Sequence, residues 1–189
     1  MTIVRRLTLI IIFSLLIHGC SHSSDDSNEV DAFISTMVPH HRLGLAMLDH
    51  AVPRVNDVRV RRLVFEMSGY HDDELHLLEG HLTHGAEAKT FPGWIAPERL
   101  TELDERNGPE YDAVWLSLMI EHHEGAIVIA TNEISRIVRD SDQARYDLAL
   151  RIIATQQAEI AKMKGLLNSM CVEQRLAAEH FTTECGGCE

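Results

Sequence analysis

Hydrophobic residues along this chain recur at helical spacing. Within residues 148–167, Ile152, Gln156, Glu159, Met163 and Leu166 follow one another at steps of four, three, four and three, which places them in one stripe on one helix face. Residues 60–82 carry a matching stripe of Met67, His71, Glu74, Leu78 and His81. No segment sustains the period-two alternation of a half-buried strand, so the pattern predicts an all-α protein without a sheet. Pro53 and Asn56-Asp57 stop one helix and start the next, and Asp140-Ser141-Asp142 does the same later, because short polar side chains satisfy the free amides of a first turn. Pro92-Gly93 and Pro97 are turn chemistry, and a short helix over residues 98–105 is ended by Asn107-Gly108-Pro109.

The segments come in two copies. Met37-x-x-His40-His41 stands 82 residues before Met119-x-x-His122-His123, and a run of small and apolar residues follows each, 43–51 in the first copy and 125–130 in the second. A second amphipathic segment follows in each case. It holds His71-x-x-Glu74-Leu75-x-x-Leu78 in the first copy and Gln156-x-x-Glu159-Ile160-x-x-Met163 in the second. The offset here is 85, a three-residue difference that a hairpin turn absorbs at little cost. Two helical hairpins, residues 31–84 and 110–168, joined by a long crossover predict a four-helix bundle of the ferritin-like kind, in which sites are built from side chains facing one another in the core.

The N-terminus reads as an address. Arg5 and Arg6 precede an apolar run over residues 7–17, eleven residues long and therefore too short for a membrane-spanning helix, which needs about 20. Leu16 to Cys20 resembles the lipobox of bacterial lipoproteins, in which cleavage before the Cys exposes it to diacylglycerol. The expected organisation is a signal peptide over 1–19, lipidated Cys20 opening a flexible tether over 20–29, a helical domain over 30–170 and a Cys-containing tail over 171–189. Such a chain works outside the cytoplasm, lipid-anchored in the periplasm or at the cell surface.

Composition narrows the partners. The 189 residues carry 17 Lys and Arg against 29 Asp and Glu, a net charge of −12, and losing Arg5 and Arg6 with the signal makes it −14. No basic surface is available to neutralise phosphates, so nucleic acid is excluded as a partner. His is in excess at twelve residues, with seven Met. An apolar bundle would place Leu or Ile where His71, Glu74, Gln156 and Glu159 stand, and a buried polar group without a partner costs about 1–3 kcal/mol. These side chains must meet something polar, and the His pairs of the other two helices are the natural candidates.

On a helix Met37 shares a face with His40 and His41, and Met119 with His122 and His123. Adjacent His residues diverge by about 100°, so only one of each pair aims squarely at a central point while the other turns to a flank. Pro39 removes a donor and crowds the preceding turn, a feature able to re-aim His40 and His41. Imidazole with carboxylate suits Zn(II), Cu(II) or Fe, and thioether with imidazole suits Cu(I). His40 or His41, His122 or His123, Glu74 and Glu159 form the first set, with Met37, Met119 and Met163 as the soft alternative. The di-iron pattern of Glu-x-x-His twice plus two further Glu is missing, which disfavours ferroxidase chemistry. The same His and Glu stripes also read as a buried hydrogen-bond network that sets helix register without any ion. In the tail, Cys171, Cys185 and Cys188 supply one disulfide in an oxidising compartment and leave one thiol over. No nucleophilic triad, phosphate loop or dinucleotide fingerprint is present in the sequence, so no enzymatic activity is expected.

The paired motifs are similar to those of the family called domain of unknown function 305, secreted ferritin-like proteins marked by Met-x-x-His-His and Gln-x-x-Glu-Ile-x-x-Met. The match covers about residues 31–168, and the first copy departs from it with His71 for Gln and Leu78 for Met. The resemblance implies a helical bundle and metal handling outside the cytoplasm, copper above all. The expected function is copper sequestration or tolerance, with zinc or iron as other ions for the same side chains. The rival is an interaction or structural lipoprotein. Expected partners are a metal ion and, through the anchor, a membrane, with homo-oligomerisation left open.

Overall fold

A computed structural model of the chain describes residues 26–82, 85, 90–137 and 142–178. The signal peptide, Cys20, His84, Cys185 and Cys188 lie outside the described residues. Five helices follow in order: α1 (Asp26–Ala51), α2 (Val58–Gly80), α3 (Pro97–Asp104), α4 (Gly108–Arg136) and α5 (Gln143–Ala178). Among the described residues there is no strand, as the periodicity predicts, and no helix is long and apolar enough to cross a membrane.

Local chemistry sets the helix ends. Asp57 caps α2, its carboxylate accepting from the backbone N–H of Arg59 at 2.7 Å. Buried Asp112 of α4 accepts from the amides of Asn56 and Asp57 at 2.9 and 2.7 Å, which ties the first hairpin turn to the second hairpin. α3 and α4 each carry a proline in their first turn, where the missing N–H would have had no partner. α1 runs through Pro39 without a break, held by the burial of Met37 and Val38 on one side and Met47 and Leu48 on the other. Two boundaries differ from expectation. α1 begins at Asp26, inside the segment expected to be a tether. α5 continues to Ala178, beyond the expected domain end at 170.

α1 packs against α2 and α4, α5 packs against α4 and more lightly against α2, and α3 lies on α4. Two apolar clusters form the interior. One gathers Met47, Val60, Val64, Met67, Trp115, Met119, Ile160 and Met163; the other gathers Phe33, Ile34, Met37, Leu78, Ala126, Leu148 and Ile152. Each long helix contributes to both clusters and changes from one to the other at its motif residues. His40 and His41, His71 and Glu74, His122 and His123, and Gln156 and Glu159 therefore form a polar layer between two apolar cores. Burying each large apolar side chain contributes about 1.5–3 kcal/mol, and these two cores supply the stability that holds the polar layer out of water.

The crossover presses onto α4 at one place. A Cβ on Gly125 would lie 2.2 Å from the carbonyl oxygen of Pro92, and Gly93 turns there with φ +76°. Only glycine lets the two backbones approach so closely. Gly125→Ala is expected to destabilise the protein by about 1–3 kcal/mol through backbone displacement. Gly165→Ala, where an added Cβ meets nothing within 4 Å, should stabilise by about 0.5–1 kcal/mol as a helix-interior replacement. Urea unfolding followed by far-UV circular dichroism checks both, and equal midpoints for the two variants would refute the close-approach argument.

Candidate metal centre

The two members of each His pair face different neighbours because their helices are flanked on two sides. α1 lies against both α2 and α4, so His41 meets Glu74 of α2 while His40 meets His122 of α4. α4 lies against both α1 and α5, so His122 meets His40 while His123 meets Glu159 of α5. The divergence expected of adjacent residues is present, and its flank is another helix rather than solvent. All four rings, with His71, are buried.

The layer is continuous. The rings of His40 and His122 stack at 3.9 Å between centroids, and His71 lies 5.3 Å from His41 on one side and 5.2 Å from His123 on the other. His41 Nε2 is 3.0 Å from Glu74 Oε2, and His123 Nε2 is 2.9 Å from Glu159 Oε2, the same pair in each copy. Carbonyl oxygens only accept, so they fix which ring nitrogens carry protons. His71 donates from Nδ1 to the Met67 carbonyl at 3.2 Å, and His122 donates from Nδ1 to the Gly93 carbonyl at 2.8 Å. In the neutral rings each Nε2 is then unprotonated, and that of His122 has no hydrogen-bond partner. Both ring edges lie beside Gly44, where an added Cβ would sit 2.9 Å from His71 Cδ2, 3.0 Å from His122 Nε2 and 3.2 Å from His71 Nε2. His40 donates from Nε2 to the His122 carbonyl at 3.1 Å, and Phe91 of the crossover covers its ring at 5.0 Å.

Several polar atoms of this layer are buried without a hydrogen-bond partner: His122 Nε2, His123 Nδ1, both amide atoms of Gln156 and Glu159 Oε1. Native interiors leave very few such atoms, since each costs about 1–3 kcal/mol. Burial pushes the imidazoles of His122 and His123 down to about 3, and it holds those of His40 and His71 well below the usual range, reinforced by their neighbouring rings. Burial, with the nearby Glu74 carboxylate, pushes Glu159 up to about 8. Neutral imidazole is the form that coordinates metal. His71, His123 and Glu159 each offer a ligand atom, all within 4.8 Å of one another. Unpaired donors of this kind, converging inside a dry layer, fit a cation.

The sequence candidates divide clearly. His40, His41, His71, His122, His123, Glu74 and Glu159 share the layer. The thioethers do not share one pole: Met37 packs in one apolar cluster, Met119 and Met163 in the other. His76 is exposed, and so is His81, so the α2 stripe is buried only as far as Leu78. Cys171 is disulfide-bonded. Sequence reasoning passed over Gly44, Gly93 and Phe91. Their signals were a glycine one turn beyond the first His pair and a Pro-Gly turn whose carbonyl has no sequence mark of its role.

The profile of the domain of unknown function DUF305 matches residues 68–167, more than half of the chain. The chain belongs to the DUF305 family. A DUF305 fragment from Deinococcus radiodurans superposes with a TM-score of 0.66 at 22% identity, over 75% of this chain and 96% of that one. A DUF305 protein from Streptomyces coelicolor, predicted to be secreted, gives 0.67 at 21% identity over 75% and 93%. CopM in its Cu(II)-bound form gives 0.60 at 21% identity over 74% and 96%. No curated protein matches the chain. At these identities the solved structures establish a shared fold, which in this DUF305 chain is all-helical.

The electrostatics of the layer set a pH dependence for the metal-free protein. Imidazoles held below their ordinary 6.5 contribute stability at neutral pH that is lost as pH falls from about 6.5 toward 3. Glu159 has the opposite sign: its contribution is complete below its ordinary 4.5 and is lost as pH rises through about 8. Four depressed imidazoles outweigh one raised carboxyl, so the urea midpoint should drop steeply between pH 6.5 and 4, decline only mildly from pH 6.5 to 8 and level off above that. Glu159→Gln should remove the mild decline between pH 6.5 and 8 and keep the acid one. A midpoint independent of pH from 7 to 4 would contradict the neutral layer.

Proposed function

We propose that this protein binds a metal ion, copper in particular, in the buried His layer, and that it holds the ion for sequestration or tolerance rather than turning over a substrate. The observation carrying this reading is the convergence of His71, His123 and Glu159 beside polar atoms that have no protein partner. Imidazole and carboxylate together suit a divalent ion of the Cu(II) or Zn(II) kind. The fold shared with a Cu(II)-bound protein supports copper among these. The four long helices form, on this reading, a ferritin-like bundle made from two hairpin repeats, with the site at the junction of the repeats. The lipobox-like segment ending at Cys20 and the predicted secretion of a family relative support attachment to a membrane outside the cytoplasm.

A second reading has its own observation. His41 directs Nδ1 at the Met37 carbonyl and Nε2 at Glu74, which is what a register-setting network requires. Calorimetric titration of the purified protein with Cu(II) and Zn(II), with metal analysis after dialysis, separates the two. Retention of one ion or more by the wild type, with loss in the His122→Gln, His123→Gln double variant whose far-UV circular dichroism is unchanged, is the expected result. An ion content equal in wild type and variant would reject the layer as the binding site.

A further inference from the structure

We infer that the duplicated layer is used asymmetrically: one divalent cation per chain is held by His123 and Glu159 of the second hairpin together with His71 of the first, while His41 and Glu74 form a structural pair. This rests on the metal-binding reading above and specifies its ligands. The two copies are equivalent in register, with His40 matching His122, His41 matching His123, Glu74 matching Glu159 and His71 matching Gln156. Their hydrogen bonding is not equivalent. The rings of His41 and His123 match, each beside the carbonyl four residues earlier and a carboxylate, but no buried unpaired side-chain atom among the described residues belongs to the first hairpin, whereas Glu159 Oε1 and both amide atoms of Gln156 are unpaired in the second. Within the layer, the unpaired atoms all belong to His122, His123, Gln156 and Glu159 of the second.

The departure at His71 breaks the symmetry. Where the second copy has the amide of Gln156, the first has an imidazole whose Nδ1 is fixed on the Met67 carbonyl, which leaves its Nε2 unprotonated in the neutral ring. Gly44 leaves room for this ring, whose edge lies where a Cβ would otherwise stand. The same ring reaches His123 and Glu159, with ligand atoms mutually within 4.8 Å, and no equivalent group gathers around His41 and Glu74 among the described residues. An amide is a weaker ligand for a borderline ion than an imidazole, so the exchange of Gln for His puts an extra nitrogen donor on this side alone. The donor set is imidazole nitrogen with one carboxylate and without thiolate, which selects a divalent cation over Cu(I).

Zn(II) and Cu(II) titration of wild type, His71→Gln, Glu159→Gln and Glu74→Gln tests the assignment. Wild type should bind one ion. His71→Gln, which makes the two copies alike, and Glu159→Gln should each weaken binding by about tenfold or more, whereas Glu74→Gln should stay within about threefold. Zn(II) added to wild type with nitrogen-15-labelled histidine should move the ring resonances of His71 and His123 and leave those of His41, a readout that needs no variant to fold. Binding by wild type with two ions per chain, with His71→Gln unaffected, or with Glu74→Gln as damaging as Glu159→Gln would overturn the asymmetry and leave metal binding standing. A wild type that takes up no ion overturns both.

Discussion

The structure depends on keeping a layer of imidazoles and carboxyls dry between two apolar cores. His40, His41, His71, His122 and His123 are buried with Glu74, Gln156 and Glu159, and nothing in their own solvation favours that position. The clusters above and below them, built from large side chains such as Trp115, Met47 and Ile34, supply the burial free energy. Trp115 also donates to the Met47 carbonyl at 3.1 Å, tying α4 to α1 beside the layer. His40, His71, His122 and His123 meet these conditions by staying neutral, and neutral imidazole is the form that binds metal.

The crossover is part of the same construction. Gly93 gives its carbonyl to His122 Nδ1 and so settles which nitrogen of that ring faces inward, while Phe91 closes over His40. Gly125 lets the loop lie directly on α4, and Gly44 leaves room for two imidazole edges. Three glycines thus do for the layer what a larger residue at any of them would undo: they bring backbone or ring close enough to orient a proton. The duplication gives the layer its plan, and the exchange of one position, His71 against Gln156, gives it a direction.

Much of this was legible in the chain. Helical spacing and turn residues predicted α2 and α3 within two residues at each end and the presence of the other helices, because a stripe at steps of three and four survives any tertiary context. The Met-x-x-His-His and x-x-x-Glu repeats named the residues of the layer, since polar groups on an apolar stripe have to meet one another. The same spacing also put Met37, Met119 and Met163 forward as a set, and the structure divides them between two cores. Sequence spacing says which residues share a helix face but not which level of the interior each face reaches.

The amino-acid sequence by itself determined the helices, the duplication and the polar stripe, because each is a matter of residue type at local spacing. Only the tertiary structure decided which imidazole meets which carboxyl, which ring nitrogen carries its proton and which polar atoms remain unpaired. Those depend on distances between α1, α2, α4, α5 and the crossover. Such distances are set by the packing of whole helices and by where glycine allows close approach, and no local rule encodes them.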